Sequence, residues 1–97
     1  MTYTIEQTLA FSRWLVALRD VRGRIVIGRR IERAVAGNLG DTKAIGEGVS
    51  EMRIDSGPGY RVYFTVRSGV VIMLLAGGDK SSQAADIRMA KRLAKEV

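Results

Sequence analysis

Two arginines and a lysine are the residues of this chain best suited to hold an anion. From Val49 the sequence alternates with period two, Met52 and Ile54 against Glu51, Arg53 and Asp55. The pattern resumes at Tyr60, where Tyr60, Val62, Phe64 and Val66 alternate with Arg61, Tyr63, Thr65 and Arg67. Between the two runs, Ser56-Gly57-Pro58-Gly59 supplies the dihedrals that a chain reversal needs. A reversal centred on Gly57 sets Arg53 opposite Arg61 and Glu51 opposite Tyr63. Like charges facing across a strand pair are destabilising, so an anion between them is one reason for their presence. The other reading is a solvated face on which each arginine pairs with Glu51 or Asp55. Lys80, just beyond the next apolar run, can reach the same region. Arg53, Arg61 and Lys80 together make a phosphate-sized cluster, with Tyr60 and Tyr63 available to stack on or hydrogen-bond a nucleotide.

The composition narrows the chemistry. The 97 residues contain no histidine and no cysteine, which excludes a Ser-His-Asp triad, an imidazole acid–base pair, a thiolate nucleophile and any His- or Cys-ligated metal. The carboxylates form no pairing that suggests glycosidase chemistry or a hard-metal site, so neither cofactor nor metal is expected. Gly77-Gly78-Asp79-Lys80-Ser81 superficially resembles a phosphate loop, but Leu74 and Asp79 stand where that motif requires glycine. The net charge is +6, and 12 of the 16 cations are Arg, the better residue for planar phosphate contact. The charge is spread along the chain rather than gathered in a tail. Arg22, Arg29, Arg30 and Arg33 mark the outer face of a helix, either a backbone-binding face for nucleic acid or simply a solvated one. The longest apolar run, Val70 to Ala76, is far short of the roughly 20 residues of a membrane span. With no secretion signal in view, the expected location is the cytoplasm.

These residues must be positioned by a small set of elements. Tyr3-Thr4-Ile5-Glu6 suits a short first strand. Thr8 then caps a helix carrying the stripe Phe11, Trp14, Leu15 and Leu18, which reads as core. The alternative starts this helix at Thr4, with Thr4 and Gln7 as a capping box. Asp20 to Gly23 breaks the pattern, and a second helix follows with Ile27, Ile31, Ala34 and Val35 inward. Gly37-Asn38 stops it, and Leu39 to Gly48, with three glycines, reads as loop. Three strands follow, the last of them, Val70 to Ala76, apolar on both faces and ended by Gly77 and Gly78. Ser81 or Ser82 caps a final helix whose stripe is Ile87, Ala90, Leu93 and Val97. The expectation is one α+β domain over residues 1–97, of order β-α-α-β-β-β-α. It has a small antiparallel sheet, two N-terminal helices packed on it and a C-terminal helix.

Three segments together resemble one family. They are Gly48-Val49-Ser50-Glu51-Met52-Arg53-Ile54, Gly57-Pro58-Gly59-Tyr60-Arg61-Val62-Tyr63-Phe64, and Leu74 to Gln83 with Asp86-Ile87. With Phe11-x-x-Trp14-Leu15-x-x-Leu18-x-Asp20 they are similar to the RelE/ParE toxin superfamily, specifically the HigB-like addiction module killers of type II toxin–antitoxin systems. The resemblance implies a toxin that cuts mRNA on the ribosome, inhibits translation and arrests growth. Its implied partners are the ribosome and mRNA, a helix-turn-helix antitoxin and, through the antitoxin complex, operator DNA. It matches Arg61 to the family arginine that acts on the scissile phosphate, Lys80 to a basic residue after the last core strand, and Arg53 to the arginine of the Glu-Leu-Arg strand. Arg61, Lys80 and Arg53 are therefore the expected catalytic residues, with Tyr60, Tyr63 and Glu51 expected to contact substrate. The chain lacks the Tyr or His that several ribonucleolytic relatives carry in the last helix. The alternative is accordingly a ParE-like inhibitor of DNA gyrase without catalytic activity.

Overall fold

Thr8 and Asp20 each open a helix. In the computed structural model, which describes residues 2–97, β1 spans Thr4–Gln7, α1 Leu9–Ala17 and α2 Val21–Val35. Thr8 Oγ1 accepts from the Phe11 amide at 3.1 Å and donates to the Leu75 carbonyl at 2.6 Å, so one side chain caps α1 and ties it to the sheet. Asp20 accepts from the Gly23 amide at 3.0 Å and from the Tyr60 hydroxyl at 2.7 Å. That cap starts α2 at Val21, inside the stretch read above as a break.

The chain continues through β2 (Thr42–Gly46), β3 (Val49–Ile54), β4 (Tyr60–Arg67), β5 (Val71–Gly78), a 3-10 turn (Lys80–Ser82) and α3 (Gln83–Ala94). The strand order is β1-β5-β4-β3-β2. The meander β3-β4-β5 is antiparallel as expected. β1 adds a parallel edge beside β5, so the sheet is mixed. Both strands run toward the same end of the sheet, where the Thr8 amide reaches the Leu74 carbonyl at 3.0 Å. The region Leu39–Gly48, expected to be loop, contains strand β2 paired to β3. Its glycines flank the strand or end it rather than interrupting it.

Each face of the sheet is covered. Phe11, Ile27 and Ala34 pack from α1 and α2 onto Met52, Ile54, Tyr60, Val62, Phe64, Ile72 and Leu74. On the other face Ala90, with Ile87 and Leu93, packs from α3 onto Val49, Tyr63, Met73, Leu75 and Ala76. β5 is therefore covered on both sides, as its continuous apolar run required. Val97, expected on the α3 stripe, lies beyond the helix and is exposed. Gly77 and Gly78 do not end β5 but complete it. A Cβ on Gly77 would collide with the Trp14 ring, and one on Gly78 with Asp86, so both helical layers approach the strand here.

Candidate functional site

The hairpin register decides which side chains meet. Arg53 pairs with Arg61 and Glu51 with Tyr63, the alignment that a turn centred on Gly57 requires. All four side chains project to the α3 face of the sheet, with Tyr63 packed under the helix. Glu51 lies buried between the arginines, its Oε2 3.2 Å from Arg61 Nε and 3.8 Å from Arg53 Nε. The like charges are thus reconciled by a shared carboxylate, which joins the two readings of the sequence in one arrangement. The pairing is electrostatic: Glu51 Oε2 and Arg61 Nε are buried without a well-aligned hydrogen bond.

A cleft of about 240 Å³ opens above this pair, lined by Asp41, Arg53, Ile54, Asp55, Gly57, Gly59, Arg61 and Lys80. Arg61 is held at its wall, with Nη1 donating to the Gly59 and Tyr60 carbonyls at 3.2 and 3.0 Å. Arg53 is the more open of the two guanidinium groups, its side chain 37% exposed. Lys80 reaches the mouth from the turn after β5, its stem lying across Gly59. That glycine has φ +81°, and a Cβ there would come within 2.7 Å of the Lys80 stem. Asp79 caps this turn by accepting from the Ser81 amide at 2.8 Å, and the Ser81 hydrogen bonds hold its carboxyl below the usual range. The structure therefore brings Arg53, Arg61 and Lys80 to one cleft. Another hollow of about 380 Å³, between Arg29, Glu32, Arg33 and Ala36, is lined by α2 alone and gathers no converging set of groups.

The two tyrosines are not disposed as expected. Tyr63 is fully buried beneath α3, and its phenol is pushed up to about 12, first by burial and then by the Glu51 and Asp86 carboxylates. Tyr60 lies on the opposite face, 3% exposed, its phenol also raised to about 12 by burial and by its bond to Asp20. The cause is the strand's alternation combined with helices on both faces. Neither ring offers a free face to a base, so the stacking expected of Tyr60 and Tyr63 is not available in this conformation. Glu51, buried against two guanidinium groups, is likewise placed to hold the arginines rather than to meet a ligand. Among the described residues no group of three or more carboxylates could hold a metal ion.

The family described as "Phage derived protein Gp49-like (DUF891)" matches residues 13–96. The chain belongs to this family. An uncharacterized protein of Haemophilus influenzae is 48% identical to this Gp49-like chain over 97 residues, covering all of the chain and 98% of the relative. The Escherichia coli toxin RelE, solved in the free state as a double arginine-to-alanine mutant, superposes with a TM-score of 0.76 at 17% identity. That match covers 95% of this chain and 98% of RelE and shows that the Gp49-like domain has the RelE fold. The chain is thus a Gp49-like protein with the fold of RelE, the fold that the resemblance of its motifs implied.

One residue at the Gp49-like site departs from its expected place. Arg30 is expected on the outer face of α2 with Arg22, Arg29 and Arg33, yet it is 9% exposed and points into the protein. It donates to the carbonyls of Arg53, Leu39 and Asp41. Burial is the main cause that lowers its pKa from the ordinary arginine value, with repulsion from Arg33 adding to it. The sequence clue was its position three residues after Ile27 and four before Ala34, on the buried stripe. Arg22, Arg29 and Arg33 are exposed, as expected.

Proposed function

We propose that this chain is the toxin of a toxin–antitoxin pair and that it cuts mRNA on the ribosome. The observation that carries the reading is the convergence of Arg53, Arg61 and Lys80 on one cleft of phosphate-binding size. In the proposed reaction the 2′-oxygen of the substrate attacks the adjacent phosphorus, the 2′-O–P bond forms and the P–O5′ bond breaks. The products are a 2′,3′-cyclic phosphate and a free 5′-hydroxyl. Negative charge builds on the non-bridging oxygens, and Arg61 and Arg53 stabilise it through N–H groups not committed to Glu51. Lys80, exposed at the mouth, gives a proton to the departing 5′-oxygen, while the 2′-hydroxyl proton leaves to water. Without histidine the chemical groups are modest, so most of the rate must come from alignment of the substrate by the ribosome. Glu51 contributes by fixing the two guanidinium groups at the floor of the cleft.

The proposed partners are the ribosome and mRNA, with a helix-turn-helix antitoxin that neutralises the toxin and carries it to operator DNA. The exposed Arg22, Arg29 and Arg33 suit contact with the rRNA backbone. The reading is tested with purified protein, programmed ribosomes and end-labelled mRNA. Cleavage that leaves 5′-hydroxyl ends and that falls at least ~100-fold in Arg61→Ala supports it. Intact mRNA together with gyrase trapped on DNA would select the ParE-like alternative.

A further inference from the structure

Arg30 occupies a place that a strand would otherwise fill. β2 pairs with β3 as far as Thr42 opposite Met52. One residue further along, the Arg53 amide still reaches the Asp41 carbonyl at 2.9 Å. The reciprocal ladder bond would come from Asp41 to the Arg53 carbonyl, and the Arg30 guanidinium donates to that carbonyl through Nη1 instead. Nη2 of the same group donates to the Leu39 carbonyl at 3.1 Å and reaches the Asp41 carbonyl at 3.5 Å. The guanidinium is therefore wedged between the end of the β2–β3 ladder and the Leu39–Asp41 segment. Gly40 makes room for it: with φ +68°, a Cβ there would lie 2.7 Å from Nη2. A buried guanidinium satisfied by backbone carbonyls rather than by a carboxylate is an expensive device for packing alone. Its planar fork does what a lysine cannot, bridging carbonyls on two segments at fixed angles.

Both segments line the cleft, which includes Arg53 of one and Asp41 of the other. We propose that Arg30 is a positioning residue: by replacing the last rung of the ladder it sets the separation of Arg53 and Asp41, and so the width at which a phosphodiester enters. Arg30 does not touch the ligand and acts through the Arg53 backbone. The consequence for RNA rests on the function proposed above, whereas the consequence for Arg53 does not.

The test uses Arg30→Lys, which keeps the charge, and Gly40→Ala, which crowds the guanidinium from the loop side and leaves Arg30 itself intact. Two quantities are measured on the folded proteins below their melting transitions. The first is amide hydrogen exchange at Arg53, whose N–H donates to the Asp41 carbonyl. The second is affinity for a 2′-O-methylated single-stranded RNA that cannot be cleaved. Both variants should speed exchange at Arg53 about tenfold or more, while core amides of β4 and β5 keep wild-type protection. Both should weaken RNA binding about tenfold with an unchanged salt dependence, because no phosphate contact has been removed. Wild-type exchange at Arg53 in both variants would overturn the proposal. So would loosened exchange without any loss of RNA affinity. Failure of the wild-type protein to bind free RNA is compatible with a nuclease that needs the ribosome, and exchange at Arg53 alone then decides whether Arg30 positions the cleft.

Discussion

Glu51→Gln removes one charge from between two guanidinium groups and nearly preserves the shape of the side chain. The carboxylate lies 3.2 Å from Arg61 Nε and 3.8 Å from Arg53 Nε and is buried. At an effective dielectric near 20, each attraction over such distances is ~4–5 kcal/mol before desolvation is subtracted. Arg53 is 37% exposed, so water screens its share down to ~1 kcal/mol or less. Arg61 is 11% exposed and keeps more of its share. Breaking a buried pair from one side costs ~3–5 kcal/mol, and the low end applies because the amide can still accept from an arginine. The expected loss is about 3 kcal/mol, or roughly 12–24 °C in melting midpoint for a domain of this size. On the proposed function binding should move the other way: without its internal counter-charge, the arginine pair should hold an RNA phosphate more tightly. The assay is urea unfolding followed by Trp14 fluorescence, run as a double-mutant cycle with Arg61→Gln. The double variant should be more stable than the sum of the two singles predicts by at least ~1 kcal/mol. A Glu51→Gln protein within ~0.5 kcal/mol of wild type, with an additive cycle, would refute the shared-carboxylate argument.

Other consequences are open to simpler measurements. Tyr60 and Tyr63 both keep their protons to about 12 in the folded state, against an ordinary value of 10.0. Their contribution to stability is therefore complete below pH 10 and is lost as pH rises toward 12. Absorbance near 295 nm should show two delayed phenol transitions, with one of them absent in Tyr60→Phe. Asp20 is held below 3.8 by the Gly23 amide and the Tyr60 hydroxyl, so its contribution is present above pH 3.8 and fades as pH falls through the lowered value. Asp20→Asn should flatten that acid limb of the stability profile. Gly77→Ala drives a methyl into the Trp14 ring and should cost ~1–3 kcal/mol in chemical unfolding, with a shifted Trp14 emission. Gly28→Ala meets nothing within 4 Å on α2 and should raise stability by ~0.5–1 kcal/mol in the same assay.

The candidate site was legible where local rules suffice. Ser56 to Gly59 forces a tight reversal, and period-two alternation then fixes Arg53 against Arg61 and Glu51 against Tyr63. Thr8 as a cap and the doubly apolar β5 followed from equally local chemistry. What could not be read depended on a partner distant in sequence. Tyr63 looked available because alternation assigns a face but does not say what covers it, and α3 covers that face. β2 was hidden because Thr42–Gly46 is a short edge strand bounded by glycines, with pairing to β3 as its main support. Arg30 was placed outward by its charge. The donors needed by the carbonyls of Leu39, Asp41 and Arg53 arise only once α2 lies against the sheet. The parallel contact of β1 with β5 likewise joins segments far apart in the chain, which no periodicity announces.

If Arg61 and Lys80 belong to a cleft that cuts translated RNA, each is needed for cleavage in the cell. The most direct measurement is a map of mRNA 5′ ends in cells after induction of the wild-type protein, Arg61→Ala and Lys80→Ala. New 5′-hydroxyl ends in phase with the reading frame are expected for wild type and should be lost in both variants. Intact messages with an SOS response, or cleavage that survives both substitutions, would contradict that role.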